Sequence, residues 1–94
     1  MENAVGYRKL LVWQRADELA VAVYQATKTF PGDEIYGITS QLRRAALSVP
    51  TNIVEYLLGF CRRLGYLNEQ QYQFLEEKRQ SVGGLLWNFY RSLF

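Results

Sequence analysis

The chain contains no histidine, one cysteine (Cys61) and two prolines in 94 residues. The lack of histidine excludes Ser-His-Asp and Cys-His mechanisms within one chain. It also excludes the Glu-x-x-His pairs of di-iron bundles, and one cysteine makes a poor metal site. A single cysteine forms no internal disulfide, which fits a reducing, cytoplasmic setting. Charge of one sign is scarce in excess: eleven Lys and Arg face nine Asp and Glu, a net charge of +2. Such a balance permits nucleic-acid contact without demanding it. No apolar run approaches the ~18 residues of a spanning helix. Met1-Glu2-Asn3 opens no basic-then-apolar signal pattern. No membrane role is expected. Gly83-Gly84 lacks the Lys and Ser/Thr of a phosphate loop. No catalytic residue, metal or cofactor is therefore expected.

What is present is apolar and aromatic. Hydrophobic residues make up 49 % of the chain and aromatics 15 %, within the length of one domain spanning 1–94. That much apolar surface on so short a chain points to self-association.

Three helical segments follow from the periodicity, at about 7–29, 38–64 and 69–93. In the first, Val12, Ala16, Leu19, Ala20, Val23, Thr27 and Phe30 recur at three- and four-residue steps and build one stripe. Pro31 and Gly32 stop it. In the second, Thr39 or Ser40 is the expected cap. Ile38, Leu42, Ala45, Ala46, Val49, Ile53, Leu57, Phe60 and Leu64 continue one stripe through Pro50. The unbroken phase predicts a kink at Pro50 rather than a break. Gly65 reads as the closing C-cap residue. In the third, Asn68 and Gln71 form a capping box. Tyr72, Leu75, Arg79, Val82, Leu86, Phe89 and Leu93 line one side. Nothing reads as a strand.

Named positions carry a resemblance. They include Leu11-Val12-Trp13 and Tyr24, then Phe30-Pro31, Glu34, Tyr36-Gly37 and Gln41-Leu42-Arg43-Arg44-Ala45. Ser48-Val49-Pro50, Asn52-Ile53 and Glu55 follow, and Arg63-Leu64-Gly65-Tyr66-Leu67 forms a second block. Together they resemble the small bacterial four-helix-bundle proteins encoded in intervening sequences of large-subunit ribosomal RNA genes. The resemblance implies an all-α antiparallel bundle and homo-oligomers, ring-like pentamers among them. Related bundles serving diversity-generating retroelements bind a reverse transcriptase and nucleic acid, which suggests a basic oligomer surface as the working part.

The chain departs from that family after Glu55. Tyr56 stands where Gly is usual, and Leu57-Leu58-Gly59-Phe60 leads almost at once into the Arg63 block. Most of one helix is missing, and the second helix fuses to the tail of the lost one. Three long helices per chain result. They pack up-down-up, or two chains pool helices to rebuild a larger bundle. The aromatic load favours pooling, a bundle completed by oligomerisation.

Arg43, Arg44, Arg62 and Arg63 are the candidate nucleic-acid contacts. On a continuous helix Arg44 and Arg62 stand five turns apart on one face, about 27 Å. Two basic clusters on one edge can straddle phosphates. Salt bridges to Glu34, Glu55 or a neighbouring chain are the plainer reading of the same arginines. Trp13, Tyr36 and Tyr66 can stack on bases, but aromatics at helical spacing more often anchor cores or interfaces. Asn52 and Glu55 suggest a buried hydrogen-bond network beside Pro50. Asp33-Glu34 and Glu76-Glu77 read as solvated pairs, and Cys61 as a small apolar filler. Trp13, Pro31, Tyr36, Gly37, Pro50, Asn52 and Glu55 are structural motif residues of the resemblance.

The leading reading is a non-enzymatic assembly module associated with RNA or a ribonucleoprotein. The alternatives are a protein-interaction adaptor working through the third helix near Trp87, and a shortened bundle with no activity of its own.

Overall fold

A computed structural model describes residues 4–48 and 51–93. Four α-helices and no strand occur among them: α1 (Ala4–Thr27), α2 (Ile38–Ala46), α3 (Asn52–Arg63) and α4 (Glu69–Arg91). One 3-10 turn, Gly32–Glu34, lies between α1 and α2. Two helices are long, about 35 Å each, and two are about half that or less. The molecule measures 50 × 21 × 18 Å.

The segment expected as one helix over 38–64 is thus two helices. α2 closes with three-residue bonds: Leu47 N–H reaches the Arg44 carbonyl, and Ser48 N–H reaches that of Ala45. The Ser48 hydroxyl donates to the same Ala45 carbonyl at 2.7 Å. These bonds satisfy carbonyls that a continuing helix would have claimed. Pro50, to which a kink was assigned, and Val49 lie outside the described residues. The apolar stripe also changes phase across the break. Ile53 is 60 % exposed, whereas Val54 is fully buried. The core of α3 is Val54, Leu57, Leu58 and Cys61.

Side-chain pairs fix the directions. Arg62 lies over Tyr72, Glu55 reaches Arg79, and Thr51 stands beside Gly83, so α4 runs back along α3. Phe30, just after α1, stacks on Tyr66, just before α4, with ring centroids 5.3 Å apart. Farther along, one groove joins Val21 and Gln25 to Phe74 and Lys78, and another joins Arg15 to Ser81. α4 therefore also runs back along α1. Ile38 and Gln41 share a groove with Tyr56, Phe60 and Leu64, which turns α2 against α3. The up-down-up order of three rods gives way to up-down-up-down with two short inner rods. The reversal between α2 and α3 adds one change of direction.

The core joins Leu19, Val23, Leu42, Val54, Leu58, Leu75 and Val82 from all four helices, with Phe30 from the connection after α1. The stripe expected in α1 is buried or half-buried at every position from Val12 to Phe30. Gly65 adopts φ +80° after α3. The Tyr66 N–H bonds the Cys61 carbonyl at 3.0 Å and the Gly65 N–H bonds that of Arg62 at 3.0 Å. This is a Schellman cap, for which glycine is favoured because it carries no Cβ. The capping box of α4 is present, with Asn68 Oδ1 accepting from Gln71 N–H at 2.7 Å and Gln71 Oε1 from Asn68 N–H at 2.9 Å. At α2 the cap position is Gly37, without a side-chain bond. Thr39, one of the two residues expected as the cap, is buried instead, and its hydroxyl has no hydrogen-bond partner among the described residues.

Candidate functional site

The four candidate arginines lie on two short helices rather than one long one, so the shared face and five-turn spacing of Arg44 and Arg62 do not hold. Each arginine meets a different neighbour. Arg43 is half-buried and turned to α1. Its Nε donates to the Thr27 hydroxyl at 2.8 Å, and its guanidinium lies 4.9 Å from the Tyr24 ring centre. Thr27 in turn donates to the Val23 and Tyr24 carbonyls at 2.9 and 3.1 Å. Arg43 is thereby committed to holding α2 on α1.

Arg62 turns the other way, to α4. Its guanidinium lies 4.2 Å from the Tyr72 ring centre and 3.3 Å from Oε1 of Glu69. Both partners of that ion pair are exposed. Arg44 is exposed and donates to the Ser40 hydroxyl at 3.0 Å. Arg63 is exposed, and no carboxylate pairs with it or with Arg44 among the described residues. Arg43-Arg44 and Arg62-Arg63 both occupy the last turns of their helices, where a cation suits the negative pole.

The other motif residues separate. Asn52 and Glu55 are exposed, so no buried network surrounds them. Glu55 reaches Arg79 at 3.5 Å instead. Trp13 is exposed on α1, with the Lys9 ammonium 4.8 Å from its ring centre. Tyr36 is 95 % exposed and anchors no core among the described residues. Tyr66 does pack, on Phe30, and its hydroxyl donates to Oε2 of Glu34 at 2.7 Å. That bond raises the Tyr66 pKa above the ordinary phenol value, with burial and the Glu34 charge adding to it. Pro31 is exposed and stands just before the 3-10 turn. Gly37 leaves room for the Glu34 carboxylate in its present place: a Cβ there would lie 2.6 Å from the Glu34 Oε1, and the side chain would have to move.

The sequence reading missed one ionic cluster. Glu76 was read as solvated, yet it is 8 % exposed. It is buried because Arg79 covers it, with Nε donating to its two oxygens at 2.9 and 3.0 Å. Those bonds raise the Arg79 pKa against the opposing effect of burial. The i,i+3 spacing of Glu76 and Arg79 was the available signal. Cys61 is fully buried, and desolvation pushes its thiol up to about 11, with the Glu34 charge adding. It therefore acts as an apolar filler and not as a reactive thiolate. No cluster of three metal-ligating side chains occurs among the described residues. No described helix is long and apolar enough to cross a membrane.

A family model described as 23S rRNA-intervening sequence protein matches residues 8–55 of this chain. The match runs from α1 through α2 into the first turn of α3, so it contains Arg43, Arg44, Asn52 and Glu55 but neither Arg62 nor Arg63. A comparison with curated proteins finds no match.

Proposed function

Because the chain belongs to the family of 23S rRNA-intervening sequence proteins, we propose that it is a non-enzymatic helical assembly module of the cytoplasm. It associates with RNA or a ribonucleoprotein through exposed arginines and works as a homo-oligomer. The observation that carries the RNA reading is the state of Arg44 and Arg63. Both are exposed, and neither is neutralised by a carboxylate among the described residues. Arg62, over Tyr72 and beside an exposed Glu69, adds a guanidinium whose ion pair costs little to exchange for a phosphate. Arg43 is set aside from this surface, since it is spent on Thr27 and Tyr24. Phosphate contact of this kind positions RNA without reading its sequence.

The family name records where such a sequence sits in a gene and supplies no substrate. RNA binding is therefore tested directly. Fluorescence anisotropy with labelled ribosomal RNA fragments at low salt is expected to report binding, weakened by joint Arg44→Gln, Arg62→Gln and Arg63→Gln substitution. Absence of any anisotropy change at low salt ends the reading. Capture of protein partners that survives nuclease treatment would favour the adaptor alternative instead.

A further inference from the structure

Glu34 carries a charge that no cation offsets among the described residues. It is half-buried, and none of the ion pairs there includes it or the adjoining Asp33. Tyr66 takes only one of its oxygens, Oε2, and does so through a neutral hydroxyl. Oε1 rests beside Gly37 and accepts no hydrogen bond among the described residues. It is not sealed away, since the Thr39 hydroxyl is the only buried side-chain polar atom left without a partner among them. Glu34 lines a groove of about 290 Å³ between α2 and α3. Ile38 and Gln41 stand on its α2 side, and Tyr56, Phe60 and Leu64 on its α3 side. The Tyr56 and Phe60 rings are 6.2 Å apart and tilted by 39°. No Lys or Arg among the described residues lines the groove.

These parts select one kind of ligand. An anion is repelled by Glu34 and by Asp33 next to it. A neutral apolar molecule would strip water from the carboxylate and return nothing to it. A cation gains on both counts: it meets the carboxylate, and it lies against the negative faces of two rings. The Gln41 amide oxygen offers a second acceptor for its N–H groups. Ile38 and Leu64 are apolar and suit an alkyl stem. The volume is at the lower end for ligand sites, which limits the occupant to a small molecule.

We propose that this groove binds a small organic cation, an ammonium or guanidinium group on a short alkyl stem, with its charge on Glu34 and its flank against Tyr56 and Phe60. The site uses none of Arg44, Arg62 and Arg63, so it stands or falls separately from RNA binding.

The test is titration of the full, isotope-labelled chain with butylguanidinium at low salt, followed by NMR at the amides of Gly37 and Gln41. Saturable shifts with a Kd of about 1 mM are expected. Butylurea has nearly the same shape without the charge and is expected to bind at least about tenfold more weakly. Glu34→Gln keeps an oxygen for Tyr66 and loses the charge, and is expected to weaken butylguanidinium at least about tenfold. Phe60→Leu keeps the apolar bulk and is expected to weaken it about threefold. Glu18→Gln, on a carboxylate that lines a different groove, is expected to change nothing. A second readout needs no substitution. Glu34 holds the Tyr66 pKa up, so a cation beside that carboxylate is expected to bring it down, seen at the Tyr66 Cζ resonance across the alkaline range. No saturable shift in the wild type, or butylurea bound as well as butylguanidinium, overturns the proposal. So does a folded Glu34→Gln chain with unchanged affinity. An arginine-containing peptide held more than about tenfold tighter than butylguanidinium overturns the small-molecule occupant in favour of a protein partner.

Discussion

The Tyr66 hydroxyl donates to Oε2 of Glu34 at 2.7 Å, and this one bond ties the connection after α1 to the connection before α4. The two residues are 32 positions apart, so neither connection is held by local geometry alone. The acceptor is a carboxylate in a half-buried place, which makes the bond stronger than a neutral one. Tyr66→Phe keeps the ring on Phe30 and removes only the hydroxyl. Urea denaturation is expected to show a lower midpoint with an unchanged slope, the mark of a weaker fold without a changed unfolded state.

Gly37 belongs to the same latch. A Cβ at that position would meet Oε1 of Glu34 at 2.6 Å, so Gly37→Ala must push the carboxylate aside. The Glu34 side chain can swing away, and the cost is then the broken Tyr66 bond. Gly37→Ala is expected to lower the urea midpoint of the wild type and to leave that of a Tyr66→Phe background nearly unmoved. A double-mutant cycle checks this. Full additivity would separate the two residues.

Arg79 and Glu76 form the costlier pair. Both side chains are 11 % exposed. Arg79→Ala strands a buried carboxylate and is expected to lower stability by about 3 kcal/mol. Glu55→Gln removes the outer, solvent-facing partner and is expected to cost under about 1 kcal/mol. Thermal or urea unfolding of both variants reads the contrast.

Cys61 gives the pH dependence. Its folded pKa is raised from 9.0 to about 11 by burial, so the folded state keeps the thiol proton longer than the unfolded chain does. The stabilising effect is complete below about pH 9 and is lost as pH rises toward 11. Stability is expected to fall by about 2 kcal/mol over that window, less in Cys61→Ala. Tyr66 is raised as well and adds to the loss above about pH 10, so the comparison is best made between about pH 8.5 and 10.

Local signals were legible in the sequence. The α1 stripe, the Asn68-Gln71 box and the Gly65 cap each depend on residues within a few positions of one another, and each occupies the expected place. Where distant parts of the chain decide, the sequence misled. Periodicity carried the second stripe from Leu42 to Leu57 without a gap. Yet Ser48 ends α2 on the Ala45 carbonyl, and Val54 rather than Ile53 turns inward. Glu76 looked solvated because its burial depends on a guanidinium that covers it. The arginines were all visible, but their division was not. Arg43 and Arg62 face opposite neighbours only because α2 packs on α1 and α3 on α4.

In the proposed function, exposed guanidinium groups on α2 and α3 hold phosphates. The most direct measurement is the slope of log binding constant against log salt for a ribosomal RNA fragment, wild type against joint Arg44→Gln, Arg62→Gln and Arg63→Gln. Each phosphate deprived of its guanidinium should make the slope shallower by about 0.7 on single strands or about 0.9 on a duplex. A slope shallower by about two to three such steps is the predicted result. An unchanged slope, or no RNA held at about 50 mM salt, would contradict it.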